Sequence, residues 1–370
     1  MSKQPDVIVV GAGIIGMLSA RELAASGLSV MLVERGKAGR EASRAAAGIL
    51  SPMYPWEAPA PINALARWSQ AHYPVLTDEL RRGSGINPQW TVSGLLCPDA
   101  ASTAARAWAE TGGHTLDQLD EKQTRQLEPA LANNIQTSLF VPDVAHVHVP
   151  RLMRALRETV LNEGIPLRED AEVTALLRRG KRIEGVRTAT EELHAGYVVV
   201  ACGAWSGQLA AESGTHIPVE PVSGQLIEFD GPPGLVRRIL YDGKHYLFAR
   251  RSGQIVVGST REKAGFDRAL TQTALAELTT VAERLLPVLK GVKPKRHWSG
   301  LRPGSADGRP YIGASPVRDG LYFNTGHDGE GITLAPASAR LLADILSGRA
   351  PAVDPAPYAL AGRMLSMDSD

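Results

Sequence analysis

Three glycines and one carboxylate near the N-terminus carry the clearest chemistry in this chain. Gly11, Gly13 and Gly16 follow the apolar run VIVV (7–10) in GxGxxG spacing, and Glu34 lies 18 residues beyond Gly16. A turn of this kind holds a dinucleotide. The first glycine allows the tight turn, the second lets a pyrophosphate approach the backbone, and the third lets helix and strand pack closely. N–H groups at the start of the following helix, at the positive end of its dipole, suit phosphate. Glu34 stands where a carboxylate accepts hydrogen bonds from an adenosine ribose, and its charge repels a 2′-phosphate, which disfavours NADP despite the neighbouring Arg35. NAD and FAD share the ADP half that this motif reads, so it does not separate them.

A second glycine-rich turn, GHDGEG (326–331), follows an apolar run at 321–325 and opens a helix to about Ser347. Two helix N-termini on one cofactor make sense if one holds phosphate and the other faces the N1–C2=O edge of a flavin. Reduced flavin carries negative charge there, and preorganised N–H donors stabilise it. A nicotinamide has no such need, so the second turn favours FAD. Arg302 is the third chemical feature, set between Gly300-Leu301 and Pro303-Gly304 in surroundings too apolar for an ordinary surface arginine. Its guanidinium suits a carboxylate clamp made of two parallel hydrogen bonds; a structural ion pair is the competing role. Hydride transfer from an α-carbon to a flavin needs a neutral amine and a carbon roughly 3–3.5 Å from the acceptor. It needs no side-chain acid or base, and no His/Asp/Glu constellation is evident in the sequence.

These residues require a scaffold. Helical spacing after Gly13 runs to Ser26, Gly27 stops it, and 28–33 reads as a second buried strand ending at Glu34. Residues 42–48 are small; by composition they suggest an alanine-rich helix, but their place after the nucleotide unit favours backbone lying close to a flat ring. Helices are expected near 62–82 and 101–111 and over 150–164, where Leu152, Leu156 and Val160 form one stripe. Residues 91–96 read as one short strand, and 171–177 and 185–188 as a hairpin turning at Arg179-Gly180-Lys181. The run 197–201, closed by Gly203 and Trp205, is a strand buried on both faces and belongs to the same parallel sheet as 7–10. From 218 the pattern changes to period two, with antiparallel strands at 225–229, 236–241, 244–250 and 254–259 and turns at Asp242-Gly243 and Ser252-Gly253. A helix over 268–290 follows, and the chain returns through 298–313. Pro336 is tolerable in the last helix only within its first turn.

The pattern is α/β: a Rossmann-type dinucleotide-binding domain interrupted by an antiparallel α+β substrate domain. The expected boundaries are 1–80, 147–217 and 300–350 for the discontinuous nucleotide domain, 81–146 and 218–299 for the substrate domain, and 351–370 for a C-terminal tail. A length of 370 residues suits two domains. Forty Lys+Arg against 39 Asp+Glu argue against nucleic-acid binding. Cys97 and Cys202 cannot make a disulfide framework or a spaced metal site, and read as buried thiols in a reducing compartment. No metal is expected. The first strand begins after five residues, which leaves no room for a signal peptide, and no apolar run is long enough to span a membrane. A cytoplasmic protein is the expectation. A homo-oligomer is compatible with the sequence, which does not fix the oligomeric state.

GAGIIG with Glu34, SRAAAG, YVVVACGAWS, GLRPGSADGRPYIG and GHDGEGITLAP together resemble the D-amino-acid oxidase superfamily of flavoproteins, most nearly its glycine oxidase branch in thiamine biosynthesis. The resemblance spans nearly the whole chain. It implies a glutathione-reductase-like FAD-binding fold, noncovalent FAD, and oxidation of a small amino acid such as glycine, sarcosine or a small D-amino acid. Imine or glyoxylate is then the product, and oxygen is reduced to hydrogen peroxide. Carried over by position, Ile14, Ile15, Glu34, Arg35, Ala42, Ser43 and Val173 match flavin contacts. So do Ala47, Gly48 and Ile49, with Ala46 and Gly203 joining the set beside Gly11, Gly13 and Gly16. In the final turn the matches are His327, Asp328, Gly329, Glu330, Gly331, Ile332 and Thr333. Arg302 matches the residue that binds substrate carboxylate, and Tyr246 an active-site tyrosine. The family turn carries an arginine where this chain has Gly329, so a second substrate-side cation is missing. Three other readings stay open: a D-amino-acid dehydrogenase feeding a quinone, a sarcosine oxidase, and a flavoprotein without catalysis. Monomeric sarcosine oxidases attach flavin through a cysteine near the segment of Arg302, where this chain has none.

Overall fold

The computed structural model describes residues 4–100 and 103–363. Val7–Val10 has no polar side chain and is buried throughout, so it needs cover on both faces. It lies between Val30–Val33 and Tyr197–Val200, parallel to both, with Val7 opposite Val30 and Tyr197. The six-stranded sheet runs Tyr311–Ala314, Leu321–Thr325, Tyr197–Val200, Val7–Val10, Val30–Val33, Leu167–Arg168, and its Tyr311–Ala314 edge alone is antiparallel. One face is covered by the helices Ile14–Ala25, Ala60–Ser84, Val149–Asn162 and Gly331–Leu346. Their Leu23, Leu65, Leu152 and Leu341 share a core with Val9 and Leu32, and the expected stripe of Leu152, Leu156 and Val160 is fully buried. The other face meets the hairpin Val173–Arg179/Arg182–Thr188 and the short helix Ser206–Ala211 through Leu176, Val186 and Leu209.

An eight-stranded sheet stands beside it in the order Arg296–Ser305, Val219–Phe229, Ile255–Gly258, Tyr246–Ala249, Ile239–Tyr241, Leu95–Pro98, Thr137–Val141, Asp117–Asp120. The helix Gln272–Leu285, which starts later than expected, packs Leu278, Ala282 and Leu285 onto Ile227, Leu247 and Val257. Neighbouring strands are antiparallel except Ile239–Tyr241, which runs parallel to Leu95–Pro98. The purely antiparallel expectation missed this pairing because it joins segments far apart in the chain.

Three further readings change. Residues 91–96 are not one strand: Thr91–Val92 pairs with Ala145–His146, while Leu95–Pro98 belongs to the large sheet. The chain bends between them at Gly94, whose φ of +69° and contact with Phe140 exclude a side chain. Residues 296–305, with 298–305 read as part of a return segment, form a ten-residue strand paired along its length with Val219–Phe229. Gly300, Pro303 and Gly304 hide it from propensity, yet Pro303 faces Pro221, and neither has an N–H for a ladder bond. Pro336 lies beyond the first turn of Gly331–Leu346. A residue there would normally donate to the carbonyl of Ile332; the buried Tyr73 hydroxyl donates to that carbonyl instead. The expected helix at 101–111 begins at Thr103, with 101–102 outside the described residues, as are 364–370 of the tail. Among the described residues no helix is long and apolar enough to cross a membrane, and no cluster of potential metal ligands occurs.

Candidate active site

A cavity of about 670 Å³ extends from the first glycine turn to the large sheet. At its nucleotide end Gly11 has a φ of +102°, and a Cβ there would sit 2.5 Å from the carbonyl oxygen of Ala201. Only glycine fits. A Cβ on Gly16 would lie 1.8 Å from the Gly11 oxygen. Gly16 does not line the cavity; its place among the cofactor contacts is corrected to helix–turn packing, the job its spacing alone implied. The helix Ile14–Ala25 starts at Gly13 with no side-chain cap, so its N-terminus opens onto the cavity. Ile14 N–H donates to Ser43 Oγ at 3.0 Å. Glu34 is buried and accepts from Ala12 N–H at 2.8 Å and Gly36 N–H at 3.0 Å, which fixes the carboxylate at the cavity wall. The Arg35 guanidinium lies 3.5 Å over the Trp205 ring and pairs with Glu41 at 2.7 Å. Glu41 also pairs with Arg268, and Phe266 packs beside Trp205 at 5.3 Å. Cys202 lines this end too and is only half-buried as a residue, unlike the buried Cys97.

The middle is built from small residues. Only Ala42–Ala45 is helical; the chain then extends through Ala46, Ala47 and Gly48 to Ile49, so the alanine-rich helix is one turn long. The loop is pressed onto the 296–305 strand: Trp298 Nε1–H donates to Ala45 O at 3.0 Å, and a Cβ on Gly300 would come within 2.5 Å of the Ala45 methyl. Val173 and Gly203 line the same stretch. From the opposite side comes the turn 327–333. Burial holds the His327 imidazole neutral, pushing its pKa down to about 3, with Nε2 3.0 Å from Ser338 Oγ. Thr333 Oγ1 donates to Ile49 O at 3.1 Å, and Gly331 and Ile332 carry the helix N-terminus, again without a side-chain cap.

At the far end Arg302 projects from the strand position opposite Val222. Its Nη1 donates to Thr260 O at 3.0 Å and its Nη2 to Ser259 Oγ at 2.6 Å. A Cβ on Gly224 would fall 2.3 Å from the guanidinium, so that glycine makes its room. Four basic side chains line the cavity, and three are neutralised: Arg35 by Glu41, Lys244 by Glu277, and Arg261 by Asp328. Among the described residues Arg302 has no carboxylate partner. Desolvation raises the pKa of the Tyr246 hydroxyl against the opposing pull of Arg302 and Ser259, and it stays protonated. Met53 and Tyr241 complete the wall, with Tyr54 edge-on to Tyr241 at 4.6 Å. Glu330 lines the same end; loss of water pushes its carboxyl up to about 7. The structure thus brings together Arg302, Tyr246 and every expected cofactor contact except Gly16. Glu41, Trp205, Gly224, Ser259, Thr260 and Tyr241 were not anticipated, and no local spacing distinguishes them.

Residues 6–345 match the FAD dependent oxidoreductase family, DAO. A glycine oxidase of Pseudomonas aeruginosa is 45% identical over 360 residues, 97% of this chain and 99% of that protein. A bifunctional protein ThiO/ThiG of Synechocystis is 30% identical over 94% of this chain and 52% of its own length. The crystal structure of glycine oxidase from Geobacillus kaustophilus superposes with a TM-score of 0.92 at 29% identity, covering 98% of this chain and all of that one. The open helix N-terminus at Gly13, the cradle that Gly11 keeps clear and the fixed Glu34 carboxylate are what the ADP half of FAD requires. The chain belongs to the DAO family of FAD-dependent oxidoreductases, and FAD is its cofactor.

Proposed function

We propose that the protein oxidises glycine and other small amino acids, including sarcosine and small D-amino acids, to imines that hydrolyse to the corresponding 2-oxo acid, glyoxylate for glycine and sarcosine, or in the case of glycine feed thiazole synthesis for thiamine. Oxygen is the electron acceptor and hydrogen peroxide the second product. One observation carries the reading: at the end of the cavity remote from Glu34, Arg302 is the cation that no described carboxylate pairs, among others that are neutralised. A guanidinium held by carbonyl and hydroxyl oxygens, and in no ion pair with any described residue, is poised for a carboxylate supplied from solution. The names of the relatives, glycine oxidase and ThiO/ThiG, support the same substrate and pathway.

In this proposal FAD is noncovalent and supplies the two-electron acceptor. Gly11, Gly13, Ile14, Ile15, Ser43, Glu34 and Arg35 hold its ADP half. Ala42, Ala46 to Ile49, Val173, Gly203 and the turn 327–333 surround the flavin. Arg302 clamps the substrate carboxylate and so orients the α-carbon, and Tyr246 donates a hydrogen bond beside it. The Met53 and Tyr241 wall excludes water and limits side-chain size. The chain divides into a nucleotide domain (1–80, 147–217 and the part of 300–350 beyond Ser305) and a substrate domain (81–146, 218–299), whose sheet also takes the whole strand Arg296–Ser305.

Anaerobic addition of glycine to the yellow holoenzyme should bleach the flavin, and air should restore the colour with release of peroxide. Bleaching without reoxidation by oxygen would identify a dehydrogenase. No bleaching by glycine, sarcosine or any small D-amino acid would overturn the proposal.

A further inference from the structure

The charge balance of the substrate end is two-sided. Six carboxylates line the cavity. Glu34 is bound by two backbone N–H groups, Glu41 by two arginines and Asp328 by Arg261, while Glu172 and Glu212 are exposed. Glu330 is half-buried and makes no ion pair with any described residue. It belongs to the turn that packs on the Arg302 stem: a Cβ on Gly329 would find Arg302 Cδ and Nε 3.7 Å away. Among the described residues, one cation and one acid therefore stand without an ion pair at the same end of one cavity. That arrangement is complementary to a zwitterion.

We infer that Arg302 and Glu330 form a zwitterion receptor in which Glu330 holds the substrate ammonium and takes its proton. The inference rests on the amino-acid oxidation proposed above. An N–H bond of the ammonium breaks, its electron pair stays on nitrogen, and the proton ends on a Glu330 oxygen. The neutral amine can then release hydride from its α-carbon; the proton returns to water as the product leaves. Glu330 is a catalytic residue in this scheme, whereas the sequence marked it only as a flavin contact.

The groups around Glu330 set when it can act. Desolvation is the largest influence and raises its pKa; Asp328, itself paired with Arg261, raises it further, while the Thr333 hydroxyl and Arg302 lower it. Tyr241 and Tyr246 feel its charge but their own hydroxyls stay protonated, and the neutral His327 touches Glu330 through the backbone, its carbonyl accepting from Glu330 N–H. With the carboxyl at about 7, the base form grows as pH rises through neutrality, while the ammonium is still charged. Both partners then carry the charges the site needs.

Two measurements test this. In the holoenzyme the rate of anaerobic flavin bleaching by glycine should rise through pH 7. In Glu330→Gln it should fall on the order of 100-fold at neutral pH and recover only towards the more alkaline pKa of the free amine. The second needs no turnover. Glycolate carries the carboxylate without the ammonium, so its binding, read by the flavin absorption spectrum, should favour protonated Glu330 and weaken about tenfold between pH 6 and pH 8 in wild type. In Glu330→Gln glycolate binding should be flat over that range. A Glu330→Gln enzyme within threefold of wild type with the same pH limb, or glycolate binding independent of pH in wild type, would overturn the inference. The glycolate titration decides alone if the variant fails to hold FAD. Failure of glycine to bleach wild type would instead sink the proposed function, and the glycolate result would still report on Glu330.

Discussion

The two ends of the cavity are made in opposite ways. At the nucleotide end, strand, glycine turn, helix and acid follow one another from Val7 to Glu34, and several of the contacts that fix them lie within that stretch or at its edge: Ala12 and Gly36 hold Glu34, and Gly16 packs on Gly11, while Ala201 closes over Gly11 from afar. At the substrate end, Met53, Gly224, Tyr246, Ser259, Arg302 and Glu330 arrive from separate segments, and Arg302 is held by atoms some forty residues away in sequence. Binding the invariant half of a cofactor can be written into one short motif. Recognising a small substrate takes directions from several elements at once, and those directions are free to differ between relatives.

If the ends are separable in function, variants should separate them too. The largest effect is expected at Arg302. Removing a guanidinium that pairs with a desolvated carboxylate costs roughly 2–5 kcal/mol, on the order of 30- to 3,000-fold in kcat/KM for glycine. Arg302→Ala should nonetheless purify yellow with a full complement of FAD. Arg302→Lys should recover only part of the activity, because an ammonium cannot make the two-pronged contact. An Arg302→Ala enzyme within threefold of wild type would remove Arg302 from the site. Gly11→Ala should do the reverse. Its methyl meets the Ala201 carbonyl at a φ that alanine disfavours, so about 2–4 kcal/mol of stability and most of the bound FAD should be lost, read by urea unfolding and the flavin-to-protein absorbance ratio. Retention of stoichiometric FAD would break the assignment of that turn. The smallest effect belongs to Arg268→Ala, which removes an exposed pair with Glu41 and a distant contact with Trp205. FAD affinity should fall by no more than about 1 kcal/mol, and the difference should fade in high salt. A larger loss would show that the segment from the substrate sheet grips the nucleotide, and the two ends would no longer be separable.

The same contrast explains what could be read from the chain. The parallel strands were legible because runs such as VIVV and YVVV can only be buried on both faces, and the hairpin at 179–181 because its turn chemistry is local. Arg302 was legible as an arginine too apolar in context for the surface. The strand that carries it was not, because Gly300, Pro303 and Gly304 score against sheet, and only pairing with Val219–Phe229 overrides them. Pro336 misled for a related reason. The rule that confines proline to a first turn assumes an orphaned carbonyl, and Tyr73, from a helix more than 250 residues earlier, removes that assumption. Glu330 was marked as a neighbour of the flavin, but whether its carboxyl was neutralised depended on where every other charge went.

The order of strands in the parallel sheet sets a timetable for synthesis. Val7–Val10 is made before the other strands of its sheet, its neighbour Tyr197–Val200 comes much later, and the strand that leads into the second turn, Leu321–Thr325, later still. At roughly 5–20 residues per second, the interval from residue 7 to residue 321 is on the order of 15–60 s. Through most of it a wholly apolar strand has an open edge, a state prone to pairing with other chains. The cofactor cannot shorten that wait, because the turn 327–333 that closes its site is made after all three of these strands. Nascent protein is therefore expected to depend on chaperones before it can depend on FAD.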